Sequence, residues 1–284
     1  MGGTLRTAAL MFTLTAMLMM IGFIAGYLTG IPITYTIGAF TLLASFMNLL
    51  IYWYADRWVL GIYRARLVSE DEEPKLHKIV ENLASRAGLP KPKIAVVPVD
   101  VPNAFATGRS PSHSVVAVTN GAIRTLNDEE LEGVLGHEIA HIKNRDMLIN
   151  TLAAIMGAVI TYVMYFSLFS DRRNRSDSGG LLMILGLFLI PFCAMLVRLS
   201  ISRGREYWAD ETGAKITGKP IALANALKKI ERATLASPLR SGNPSTASLF
   251  IVNPFRGLRL LSLFSTHPPT DLRIKRLESM GTAA

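Results

Sequence analysis

The sequence predicts an α+β protein that is mainly helical and integral to a membrane, with about four transmembrane helices and a soluble part containing a small β-sheet. Three observations lead there. Hydrophobic residues make up 50% of the 284-residue chain and charged residues only 18%, too apolar a balance for an ordinary soluble protein. Residues 7–55, 147–170 and 178–197 contain no Asp, Glu, Lys or Arg. Each run is long enough for the roughly 20 helical residues that cross a hydrocarbon core, and the first is long enough for two helices. The remaining stretches carry the periodicities and turn residues of soluble helices and short strands.

The formal charge of +9 invites a nucleic-acid partner, but the basic residues gather beside the apolar runs, at Arg57, Arg64, Arg66, Arg198, Arg203 and Arg205. That placement is the signature of membrane topology and anionic headgroups, so the expected partners are the bilayer and polypeptide, with no nucleic acid. Cys193, the single cysteine, lies inside an apolar run. No intrachain disulfide and no cysteine metal site is available.

Taken in order, residues 8–28 form a first apolar helix, residues 30–32 (Gly-Ile-Pro) turn the chain, and residues 33–54 return across the bilayer. Tyr52, Trp53, Tyr54 and Trp58 mark the interface at the exit. Residues 1–55 are therefore a helical hairpin anchor. The arginines that follow put the N-terminus and residues 56–146 on the cytoplasmic side. Residues 69–88 read as a soluble helix, with Pro74 in the first turn, Leu76, Ile79, Val80 and Leu83 at helical spacing, and Gly88 as a stop. Strands are expected at 94–97, 104–107 and 114–118, separated by turn residues including Gly108, Pro111 and Asn120-Gly121. His77 and His113 stand in polar settings and read as solvated.

Asn127 is a good helix N-cap, and Glu130 three residues later completes a capping box. In the helix that follows, Leu131, Val134, Leu135, Ile139 and Ile142 form one apolar side, while His137 and His141 face another. Residues four apart are offset by only about 40° on a helix, so two imidazoles can grip one metal ion. Glu138 stands about 100° round from His137, where a carboxylate can take a proton from water at the metal. The alternative is a polar helix face that spells HExxH by chance.

The apolar run at 147 begins six residues after His141, about 9 Å along a continuing helix, so a metal site here lies close to the membrane surface. Residues 147–197 form a second pair of hydrophobic segments. Two full spans would leave Arg172, Arg173 and Arg175 outside, against the charge rule, whereas a re-entrant hairpin strains the lengths. Two spans are preferred, and either way residues 198–284 return to the side of residues 56–146. A catalytic zinc takes three protein ligands and leaves one position open. Glu206, in the charged stretch straight after the fourth apolar run, is the best carboxylate candidate for the third. Asp210, four residues on, shares its face and is suited to accept the spare ring N–H of a ligand histidine. The competing reading is a solvated helix face laced with i,i+4 pairs.

HEIAHIKNRD, SRGREYWAD and STHPPTDLRIKRL, in this order and with hydrophobic segments in these places, resemble the HtpX-type membrane zinc metalloproteases, relatives of the CAAX prenyl protease. The resemblance covers nearly the whole chain. It implies a zincin-like cytoplasmic protease domain with one Zn2+ on His137, His141 and Glu206, Glu138 as general base and Asp210 in support. It implies further that residues 101–108, VPNAFATG, are an edge strand beside the active site, with Asn103 and Ala104 nearest the cleft. An edge strand with free N–H and C=O groups is suited to hold an extended peptide. His267 and Arg273 match family residues that hold substrate or the developing oxyanion. The implied activity is endopeptidase cleavage of misfolded or damaged membrane and membrane-proximal proteins, in stress response, from the bacterial cytoplasmic (inner) membrane. A CAAX-type prenyl-peptide protease is an alternative that would need a large lipid-accommodating chamber, and a zinc-stabilised membrane adaptor without activity is another. Residues 241–261 have no assigned role.

Overall fold

The computed structural model describes residues 2–152, 203–239, 244–255 and 268–282. The third and fourth expected membrane segments beyond residue 152, together with Cys193 and His267, lie outside the described residues.

Two long helices open the chain, α1 (Gly2–Thr29) and α2 (Ile33–Ile62), joined at Gly30, whose φ of +73° suits a residue without a Cβ. Residues Thr7–Thr29 and Ile33–Ile62 are apolar and long enough to cross a membrane. Most of their large side chains, such as Phe12, Phe23, Tyr35, Leu42 and Phe46, are exposed outward, as lipid contact requires. Between the helices, Asn48 donates from Nδ2 to Thr15 Oγ1 at 3.0 Å and to Met11 O at 3.3 Å, a polar tie inside the hairpin.

The lower end of α2 is built into the soluble part. Val59 and Tyr63 are buried against Phe105, Leu249 and Phe250. Tyr63 is edge-on to Phe250 with ring centroids 5.0 Å apart, and its hydroxyl meets Thr246. From the neighbouring strand, the Arg109 guanidinium lies 4.1 Å over the Trp53 ring.

The sheet has four strands: β1 (Arg66–Leu67), β2 (Lys93–Val97), β3 (Ala104–Ser110) and β4 (His113–Thr119), in the order β1-β2-β4-β3. β2 and β4 are parallel, while β1–β2 and β3–β4 are antiparallel. The three expected strands are present, each somewhat longer, and β1 is an addition too short to show a period. Asn120-Gly121, expected as a turn, instead opens a short helix, α4 (Asn120–Thr125), because Thr119 Oγ1 caps it by accepting from Ala122 N.

Alternation along the strands splits the core in two. One face, with Ile94, Ala104, Ala106, Val116 and Val118, packs on α3 (Pro74–Ala87), α5 (Asp128–Asn144), α7 (Pro220–Ala236) and α8 (Thr270–Thr282). The other face, with Ala95, Val97, Phe105, Val115 and Ala117, is covered by the end of α2 and by Leu249 and Phe250, at the end of and just after a 3-10 turn at Pro244–Leu249. α3 starts at Pro74 and stops at Gly88 in the left-handed region, as its sequence signals indicate. α6 (Arg203–Thr217) crosses α5 where Gly213 meets Gly136 and His137, and brings the second half of the chain to the HEIAH helix.

Candidate active site

α5 is started by the expected capping box: Asn127 Oδ1 accepts from Glu130 N and Glu130 Oε2 accepts from Asn127 N, both at 2.9 Å. Its apolar side, Leu131, Val134, Leu135, Ile139 and Ile142, faces the core. The other side meets α6 at almost no distance. A Cβ on Gly213 would lie 2.8 Å from His137 N, and one on Gly136 would lie 2.5 Å from Thr217 Cγ2. Only glycines allow this crossing, and it carries Glu206 and Asp210, one turn apart on α6, up to the histidines.

There His137 Nε2 and His141 Nε2 are 3.1 Å apart, with the rings edge to face at 4.7 Å. The Glu206 carboxylate lies 3.8 Å from the first and 3.7 Å from the second. A tetrahedral ion with bonds of about 2.05 Å spaces its ligands about 3.3 Å apart, so these three edges bracket what one such ion requires. All three residues are buried. His77 and His113 stand elsewhere: His77 Nε2 is 3.0 Å from Val68 O, and exposed His113 bonds Ser110 and Ser112.

Asp210 Oδ1 lies 2.9 Å from His137 Nδ1, which leaves Nε2 for a metal. Arg273 clasps Asp210 with two bonds, Nε to Oδ2 at 2.8 Å and Nη2 to Oδ1 at 2.7 Å, and donates from Nη1 to Ile251 O at 2.7 Å. Only 1% of Arg273 is exposed. The guanidinium is thus spent on Asp210 and the Ile251 carbonyl, and its nearest approach to Glu206 is 3.9 Å.

Charge follows burial and neighbours. Burial pushes His137 down to about 4, against the pull of Asp210. For His141 burial acts in the same direction but is outweighed by Asp146, Glu206 and Glu138, and the ring rises to about 9. Glu138, 2% exposed, is pushed up to about 7, chiefly by burial and further by Glu206, with His141 opposing. Burial would raise Asp210, but the Arg273 charge holds it below the usual carboxylate range. Burial likewise opposes the charge on Arg273, and Asp210 more than restores it.

The β3 edge is divided. Asn103 and Ala104 are not turned to an open cleft: Ile251 N donates to Asn103 Oδ1 at 3.1 Å and to Ala104 O at 3.3 Å, while Asn103 Nδ2 donates to Val252 O at 2.7 Å. Residues 251–252 therefore occupy the first part of the edge. Thr119 N donates to Asn103 O, so up to Gly108, where the register shifts, odd-numbered residues bond β4 and even-numbered ones point their backbone groups away from it. The outward N–H of Ala106 reaches Glu138. Sequence reasoning missed the roles of Gly136, Gly213, Ala106 and the 251–252 segment, and it missed Asp146, which lies 3.7 Å from His141 Nδ1 and 3.1 Å from Arg205 Nη1.

Residues 70–281 match the model of Peptidase family M48. The chain is 54% identical over 281 residues to a Protease HtpX homolog of Pyrococcus furiosus, covering 97% of this chain and 95% of that one. It is 48% identical over 271 residues to a Protease HtpX homolog of Aquifex aeolicus, covering 92% and 87%. Of solved structures, the crystal structure of S. mikatae Ste24p superposes with a TM-score of 0.51 at 17% identity, over 96% of this chain and 65% of that longer chain, a likeness of fold. The chain belongs to peptidase family M48 and is a membrane metalloprotease of the HtpX type.

Proposed function

We propose that the metal is one zinc ion held by His137, His141 and Glu206, and that the enzyme is an endopeptidase for misfolded or damaged membrane and membrane-proximal proteins. The observation that carries this is the convergence of two Nε2 atoms and a carboxylate at 3.1, 3.7 and 3.8 Å, with Glu138 beside them. A zinc ion there supplies the Lewis acidity that makes water nucleophilic near neutral pH and polarises a carbonyl.

The protein's own groups do the rest. Glu138, buried beside the metal ligands, takes the proton from the attacking water and returns it to the departing amine nitrogen. Asp210 and Arg273 hold the His137 ring. An extended substrate pairs with the outward groups of β3 past Ala104, at the Ala106 carbonyl and at Gly108, with Asn103, Ala104 and residues 251–252 forming one end of the groove. His267 adds charge to the oxyanion or substrate. Arg109 over Trp53 ties this strand to the exit of α2, so the groove opens near the bilayer surface. The arginines after α2 favour the cytoplasmic face of the cytoplasmic membrane, where stress-damaged membrane proteins expose unfolded loops.

Glu138→Gln tests the mechanism. The expected result is unchanged zinc content with cleavage of an unfolded membrane substrate reduced about 10²- to 10⁴-fold, the usual worth of a general base. A purified Glu138→Gln protein that holds zinc and cleaves at the wild-type rate would overturn it.

A further inference from the structure

His141 differs from His137 in what stands behind its ring. Behind His137 is the Asp210 carboxylate, clasped by Arg273. Behind His141, whose Nδ1 is also buried, the nearest acid is Asp146, with Oδ2 3.7 Å away against the 2.9 Å between His137 Nδ1 and Asp210. Asp146 is itself buried, and its other oxygen is bonded by Arg205 Nη1 at 3.1 Å. The two ligand histidines therefore share one plan: imidazole, then aspartate, then arginine.

The backbone shows why Asp146 can reach. α5 ends at Arg145, which adopts the left-handed region at φ 59°, and Asp146 N–H turns back to His141 O at 3.1 Å. Asp146 O then accepts from Asn150 N in the helical residues 147–152. A residue five positions beyond His141 would lie on another face of an unbroken helix, but the break returns its side chain to the ring. Arg205 comes from the first turn of α6, one residue before Glu206. A single ion pair thus fixes the end of the HEIAH helix against the start of the helix that brings the third ligand.

We propose that Asp146, held by Arg205, is the positioning residue for His141: it accepts the Nδ1–H and so selects the tautomer whose Nε2 lone pair is free for the metal. The proposal deepens the zinc reading above and rests on it. A carboxylate only accepts, so it enforces that tautomer, whereas an amide in its place can donate to Nδ1 and favour the wrong one. Arg205 prevents the acid from turning away and cancels its charge in a buried place.

The test uses full-length protein purified in detergent, comparing wild type, Asp146→Asn, Asp146→Ala and Arg205→Lys. Zinc affinity is measured by chelator competition, the visible spectrum is recorded after Co2+ loading, and thermal unfolding is measured without metal. Asp146→Asn is expected to weaken zinc about 10- to 100-fold, the usual loss when a ligand's supporting partner is changed, with an altered Co2+ spectrum. Asp146→Ala should lose similar affinity, and Arg205→Lys should retain most of it. Wild-type affinity and an unchanged spectrum in Asp146→Asn would overturn the proposal, even if its metal-free stability fell, because that pattern belongs to a purely structural acid. His141→Ala keeps the two readings apart. If wild type binds one zinc and His141→Ala does not, the metal site stands whatever Asp146 does; if wild type binds none, the zinc reading itself fails.

Discussion

His137 and His141 carry the same ring one helical turn apart, yet without metal one is pushed down to about 4 and the other up to about 9. The difference lies in their neighbours, since burial lowers both. Asp210 spends its charge on Arg273, whereas His141 faces three carboxylates, Asp146, Glu206 and Glu138. The Asp210–Arg273 pair is buried and doubly bonded, so Arg273→Leu leaves an uncompensated carboxylate inside the protein. The expected cost is about 3–5 kcal/mol in denaturant unfolding, with Arg273→Lys only partly restoring it because an ammonium cannot reproduce the planar fork. At Tyr63, burial raises the phenol above its ordinary value despite its bond to Thr246. A raised folded value means that the stability it contributes is complete below about pH 10, where a free tyrosine ionises, and is lost as pH climbs towards that raised value. Melting temperature should accordingly fall more steeply above about pH 10 in wild type than in Tyr63→Phe; equal slopes would refute this. His137, Glu138 and His141 are legible as one group, and Glu206 with Asp210 as another, from i,i+1 and i,i+4 spacing on their own helices; joining the two groups took the family resemblance. Asp146 is not legible, since its return to His141 depends on one left-handed residue that no periodicity announces.

At the scale of elements, the decisive contact is the crossing of α5 and α6. A Cβ on Gly213 would press on His137 N at 2.8 Å, so Gly213→Ala must move the helix carrying Glu206 away from the histidines. Overpacking of this kind costs about 1–3 kcal/mol. The variant should melt earlier and lose zinc to chelators faster than wild type, and unchanged zinc retention would show that the crossing tolerates a methyl. The cap at Asn127 is a different kind of support: Asn127→Ala should cost about 1 kcal/mol in unfolding free energy and leave zinc affinity unchanged, since it frays the far end of α5. The cap, Pro74, Gly88 and the three main strands were all readable because each has a local residue signal. The glycine crossing was not, because Gly136 and Gly213 acquire meaning only when the two helices meet. The same holds for β3, where the family resemblance implies an edge strand but not the segment at 251–252 that closes its first part.

The whole molecule joins a membrane anchor to a metal site through continuous packing. α2 runs from the hairpin into the core beneath the sheet, where Val59 and Tyr63 meet Phe105 and Phe250. The apolar hairpin was legible from its lack of charge, while its fusion with the sheet was not, because Val59 and Tyr63 look like any residues at a membrane exit. The site is assembled from two distant parts of the chain, HEIAH before the second apolar stretch and Glu206 after it. Metal binding therefore requires both parts to be in place, and zinc at about a thousand times its dissociation constant should add about 4 kcal/mol to stability. Whether Glu206 completes the proposed site is read from zinc stoichiometry in detergent-purified wild type and Glu206→Ala. One tightly held zinc per wild-type chain is expected, and loss of that zinc to a chelator in Glu206→Ala while its metal-free melting stays close to wild type. A Glu206→Ala protein that keeps one zinc with wild-type affinity would contradict it.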